Sequence, residues 1–204
     1  MHASNHSHPS PSPLPADLKS LHEARRVLDA LIADHAAVAS IESIAAALIA
    51  AFKAGRKVLI AGNGGSLCDA AHFAEELTGR FRADRAPLPA IAITDPGHIT
   101  CTANDYGFDH IFARSVEALG QSGDILILLS TSGNSSNCLK ALDVAVAKGL
   151  STVGLLGKGG GALRGRCTHE VVVAGETSDR IQELHMLILH ILVERIEVGL
   201  FGRS

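Results

Sequence analysis

Two groups of polar side chains in this 204-residue sequence have the types and the spacing for metal or proton chemistry. His72 and Glu76 stand four apart in a stretch that follows a glycine-rich loop. On a helix that spacing puts an imidazole and a carboxylate on one face, where they can share a zinc ion or a proton. An isolated pair of this kind also fits an ordinary polar helix face, and the residues alone favour that plainer account. The second group, Asp179, Arg180, Gln182, Glu183, His185 and His190, lies in the last helical stretch. His190 interrupts the apolar run MLILHILV. The usual account of such a histidine is a core side chain satisfied by one hydrogen bond, and on the residues alone His185 and His190 rank equally. Gln182 and His190 are eight residues apart, about 12 Å along a helix axis. A straight helix cannot aim both at one metal ion, so a shared site requires a bend or a contribution from a neighbouring chain.

Two loops complete the chemistry. Gly62-Asn63-Gly64-Gly65-Ser66 follows an apolar run and precedes the His72 stretch. Its glycines let backbone N–H groups approach a ligand, and a helix start favours an anion. A tight strand-to-helix turn uses the same residues, and the two readings are evenly balanced. The loop is neither the GxGxxG dinucleotide fingerprint nor a P-loop, since no lysine follows it. Ser130-Thr131-Ser132-Gly133-Asn134-Ser135 carries four hydroxyls. One helix cap needs only one hydroxyl, so a cradle for a phosphate monoester is favoured over a serine-rich cap. Thr102-Ala103-Asn104-Asp105 reads as the loop after the second strand. There Asn104 and Asp105 are either turn formers or contacts to sugar hydroxyls.

The elements that must position these residues are legible as a pattern. Residues 57–62, 88–94, 124–130, 151–157 and 169–175 are short, continuous apolar runs bounded by Gly, Pro or polar residues. Such runs suit strands buried on both faces of a parallel sheet. Helical stretches lie near 67–80, 108–119, 136–148 and 178–200, with two more before the first strand. The first of these begins at Asp17, and the second runs from Ser40 to Ala54 and stops at Gly55. The alternation predicts an α/β fold: a doubly wound, five-stranded, mainly parallel sheet flanked by helices, with N-terminal helices ahead of it. Residues 1–16, rich in Ser, Pro and His, are expected to be a disordered tail, and 17–204 a single domain without internal repeats.

Composition narrows the class. With six Phe, one Tyr and no Trp, the core must be built mainly from Ala, Val, Ile and Leu. Lys and Arg total 18 against 21 Asp and Glu, and no long basic run argues for nucleic acid as a partner. Cys68, Cys101, Cys138 and Cys167 form no CxxC pair and fit reduced thiols in a cytoplasmic protein. The N-terminus lacks a secretory signal pattern, and no segment reads as the roughly 20 apolar residues of a membrane span.

Taken together, GNGGSLCDAAHFAEELTGRFR (62–82), PAIAITDPGHITCTANDYGFDHIF (89–112), LSTSGNSSN (129–137) and DRIQELHMLILHILVERIE (179–197) resemble the sugar isomerase (SIS) domain family, within it the branch that isomerises heptose phosphates. The resemblance runs from about residue 20 to 200. It implies conversion of sedoheptulose 7-phosphate to D-glycero-D-manno-heptose 7-phosphate by enediol-type proton transfer, supplying bacterial heptose for the lipopolysaccharide core. It implies one zinc ion per active site, held by His72, Glu76, Gln182 and His190. Glu76 and His190 become the proton-transfer pair, with Asp179 nearby. Asn63, Gly64, Gly65, Glu76, Asn104, Asp105, Ser130, Thr131, Ser132, Ser135 and Gln182 become substrate contacts. It also implies a homotetramer with active sites at subunit interfaces, which would remove the Gln182–His190 distance problem. The same family includes non-catalytic modules that bind a sugar phosphate or the replication initiator. The full set of four ligand positions favours the enzyme over that alternative.

Overall fold

All five apolar runs pair as strands of one sheet in the computed structural model, which describes residues 17–202; the expected N-terminal tail lies outside the described residues. The strands are β1 (Val58–Gly62), β2 (Ala90–Ala92), β3 (Ile125–Ser130), β4 (Ser151–Gly157) and β5 (His169–Val173). The helices are α1 (Asp17–Ala33), α2 (His35–Lys53), α3 (Gly65–Thr78), α4 (Pro96–Tyr106), α5 (Ile111–Leu119), α6 (Ser136–Ala147) and α7 (Ser178–Phe201). The sheet order is β2-β1-β3-β4-β5, and every pairing is parallel.

Alternate side chains of each strand enter two different cores, which is why the runs show no polar alternation. Ile60, Ile127, Leu129, Leu155 and Val173 face α1, α2, α3 and α7. Leu59, Leu126, Leu128 and Leu156 face α5 and α6, where Phe112 and Leu142 are buried. The order reverses between β1 and β3, because β1 leads into α3 on one face and β3 into α6 on the other. In open α/β sheets ligands bind at such a switch point, outside the carboxyl ends of the strands. The glycine loop and the serine loop leave those two adjacent ends. Gly133 fixes the serine loop in place. Its φ is +65°, and a Cβ there would stand 1.8 Å from the Gly160 carbonyl oxygen, so no other residue fits.

Two expectations need correction. Residues 102–105 are not a loop but the second half of α4. Asp95 caps that helix by accepting the His98 N–H at 2.6 Å, Pro96 starts it and Gly107 ends it. A cap and a proline at the first position outweigh the turn preference of Asn104 and Asp105. The second correction concerns α2, which begins at His35 rather than Ser40. Asp34 caps it, accepting the Ala36 and Ala37 N–H groups. The added turn makes α2 long and apolar enough, by length and composition, to cross a membrane. In the fold Ile41, Ile44, Leu48 and Ala51 of this helix are buried, in a core shared with α7 and β5.

The two histidines that the sequence ranks equally separate here. His185 is fully buried, its Nε2 bonded to the Leu156 carbonyl at 3.1 Å and its Nδ1 without a partner. Burial pushes its pKa down to about 4, so it is a neutral core residue. The unfolded chain, with the ordinary value of 6.5, takes up a proton first as pH falls. Stability is therefore expected to drop from about pH 6.5 towards pH 4, by on the order of 3 kcal/mol. Urea unfolding across this range should show that loss in the wild type and a shallower slope in His185→Gln.

Candidate active site

The two loops are tied to each other by a pair of amides. Asn63 Nδ2 donates to Asn137 Oδ1 at 3.0 Å, and Asn137 Nδ2 donates back to Asn63 Oδ1 at 2.8 Å. Asn137, buried in the first turn of α6, also accepts the Cys138 N–H. Within the serine loop, Ser130 Oγ accepts the Gly133 N–H and Ser132 Oγ accepts the Asn134 N–H, each at 3.1 Å. Ser135 stands at the N-cap of α6, yet its hydroxyl makes no capping bond. That leaves the start of the helix to an incoming anion, as a phosphate cradle requires. Thr131 Oγ1 lies 3.1 Å from Ser178 Oγ, so the start of α7 borders the same cradle.

Helices α3 and α7 cover one face of the sheet and run parallel, both returning from a strand's carboxyl end. At their shared start, Gln182 Nε2 donates to Ser66 Oγ at 3.4 Å. A Cβ on Gly65 would lie 2.7 Å from the Gln182 amide, so a larger residue there would push that side chain aside. Farther along, His72 Nε2 and His190 Nε2 each lie 3.3 Å from the same oxygen of Glu76. The three ligand atoms are all within 4.8 Å of one another. Glu76 is only 6% exposed, and its Oε2 is buried without a hydrogen-bond partner. Burial raises the Glu76 carboxyl above the ordinary carboxylate range, while the charges of His190 and His72 pull it back. The His72 and His190 rings meet edge to face at 5.3 Å, and the Phe81 ring stacks on His190 at 5.8 Å.

Two imidazole nitrogens and a carboxylate converging on one point suit a zinc ion. The unpartnered Glu76 Oε2 agrees with a missing ligand there, because a buried carboxylate oxygen is not left bare without cost.

One chain does not assemble every predicted residue. Asp179 is exposed in the first turn of α7, eleven residues before His190 and so roughly 16 Å along the axis. It lies at the cradle end, its carboxyl held below the usual range by hydrogen bonding with Thr177 and with Arg180. Gln182 likewise belongs to the cradle end, about 12 Å from His190. Asn104 and Asp105 sit on the exposed side of α4, bonded to each other at 2.7 Å. Three residues went unnoticed in the sequence. Asn137 shows only as the end of the serine motif, and Phe81 as one of few aromatics. Asp69, one turn before His72, has a buried oxygen without a partner and a carboxyl raised by burial.

Known proteins place this geometry. The family model for the SIS domain matches residues 21–157. A phosphoheptose isomerase of Fusobacterium nucleatum is 60% identical over 163 residues, 80% of this chain and 84% of that protein. One from Vibrio cholerae is 51% identical over 178 residues, 87% of this chain and 93% of its own length. The structure of a phosphoheptose isomerase from Francisella tularensis superposes with a TM-score of 0.82 at 37% identity, covering 87% of this chain and 94% of that one. The switch-point loops and the cluster between the two helices thus sit in a likeness that spans nearly the full length of these relatives, and the chain belongs to the SIS domain family and, within it, to the phosphoheptose isomerases.

Proposed function

We propose that this chain isomerises sedoheptulose 7-phosphate to D-glycero-D-manno-heptose 7-phosphate in the cytoplasm, supplying heptose for the bacterial lipopolysaccharide core. The observation that carries the reading is the buried Glu76 carboxylate between His72 and His190, on the helix that starts at the glycine loop. Ketose–aldose isomerisation needs a base at carbon, an acid at the carbonyl oxygen and stabilisation of the oxyanion. Glu76 is the base: it removes a proton from C1 and delivers it to C2. Burial raises its proton affinity towards the range in which a general base works well. His190, on the opposite helix, donates a proton to the C2 oxygen and accepts the one leaving the C1 hydroxyl. Phe81 and His72 both contact its ring. Ser130, Thr131, Ser132 and Ser135 anchor the distal phosphate, so binding energy far from the reacting carbons holds them against Glu76. Asn63, Gly64 and Gly65 contact the substrate beside the serine loop, with Asn104 and Asp105 as a further contact to hydroxyls.

Zinc, one ion per site, would be held by His72, Glu76, His190 and Gln182, and when bound supplies polarisation of the substrate oxygens. Gln182 lies two turns away in its own chain, so we assign the fourth ligand, and with it Asp179, to a neighbouring copy in a homotetramer. Leu21, Ile32, Val38 and Leu187, exposed on α1, α2 and α7, supply the apolar surface that such an assembly would cover. A non-catalytic sugar-phosphate module has no need of the imidazole–carboxylate cluster, which supports the enzyme.

Turnover of sedoheptulose 7-phosphate by zinc-loaded wild type is expected, falling about 10²–10⁴-fold in folded Glu76→Gln and His190→Gln. Absence of turnover in the zinc-loaded wild type would sink this reading. Sites shared between chains predict complementation: Gln182→Ala and Glu76→Gln, each inactive alone, should regain activity when coexpressed. If coexpression restores nothing, the fourth ligand does not come from a neighbour.

A further inference from the structure

Glu76 and His190 lie on separate helices, so whatever sets the distance between α3 and α7 sets the geometry of the pair. Just beyond the cluster a buried guanidinium joins the two. Arg85, in the segment between α3 and β2, has a side chain only 3% exposed. It directs its donors in three directions. Nη2 donates to the backbone carbonyl of Glu76 itself at 2.5 Å, and Nη1 to that of Leu77 at 2.7 Å. Nε donates to Glu197 on α7 at 2.9 Å, and Glu197 is 4% exposed.

Each contact has a physical reason. The Glu76 and Leu77 carbonyls belong to the last turn of α3, where no intrahelical partner exists and a positive charge suits the helix dipole. Glu197 follows His190 by seven residues, two turns on, and so lies on the same side of α7. It neutralises a charge that would otherwise be stranded in the interior. The outer pair Arg82–Glu194, one turn after His190, spans the same two segments in the open. The guanidinium reaches the backbone of Glu76, not its carboxylate, so it acts through position.

We propose that Arg85, anchored by Glu197, is a positioning residue that fixes the separation of Glu76 and His190 for proton transfer and metal binding. The proposal rests on the isomerase reading for its kinetic consequence but not for its metal consequence. Arg85→Lys keeps the charge and loses the planar fork, and Glu197→Gln keeps an acceptor and loses the charge. In the full-length protein, kcat is expected to fall about 10–100-fold in Arg85→Lys with KM changed by no more than about 2-fold. Zinc titration of the chelator-stripped protein should show affinity weakened by about 10-fold or more. Arg195→Gln, also on α7, removes an exposed pair with Glu42 of α2 and should match wild type in both measurements. Folded Arg85→Lys with wild-type kcat and zinc affinity would overturn the proposal. So would an equal loss in Arg195→Gln, which would mark a general loosening of α7. If Arg85→Lys does not fold, Glu197→Gln decides on the same two readouts. If wild type fails to turn over the substrate, the isomerase reading falls, while the zinc titrations still judge Arg85.

Discussion

A carboxylate at 6% exposure with two imidazoles 3.3 Å from one of its oxygens can exist only where two helices are held in a fixed register. Here α3 and α7 supply that register. They descend in parallel from the carboxyl ends of β1 and β5 onto the same face of the sheet, and their cores are buried together. Glu76 faces the seam from one side and His190 from the other. The seam is closed at one end by Gln182 packed on Gly65 and at the other by Arg85 bonded to Glu197. Between these closures Glu76 is buried while His72 and His190 remain partly open to solvent, and burial raises the proton affinity of Glu76. The same desolvation that makes the group costly to bury is what shifts its proton affinity.

The sheet order explains why the two loops and the imidazole–carboxylate cluster lie in different parts of the fold. The switch between β1 and β3 sets the glycine and serine loops side by side, and the Asn63–Asn137 amide pair locks them. These loops stand at the starts of α3 and α6, whereas the His72–Glu76–His190 cluster lies farther along, between α3 and α7. The arrangement also separates Asp179 and Gln182 from the residues they were expected to join, which is why a second copy of the chain enters the proposal.

Much of this architecture was readable from the chain. All five strands fell on the apolar runs, because strands buried on both faces carry no polar alternation to obscure them. Both ligand loops showed as clusters of glycine and of hydroxyls at strand ends. Residues 102–105 were misread because the preference of Asn and Asp for turns is local, and the decisive signals, Asp95 and Pro96, lie upstream. The start of α2 was missed for the same reason, since its cap, Asp34, lies upstream of Ser40, where the helical reading began.

By itself, then, the sequence determined the elements, their alternation and the residue types able to do chemistry, because those follow from periodicity, capping and side-chain functionality along the chain. It could not rank His185 against His190. Both lie in one apolar helix, and only packing shows that His185 bonds the Leu156 carbonyl in the core while His190 faces Glu76. Nor could it reveal Arg85, whose partners Glu76 and Glu197 are nine and 112 residues away. Which groups share a buried volume, and hence which pKa values move and which charges pair, is set by contacts between distant segments. Those contacts exist only once the sheet has brought α3 and α7 together.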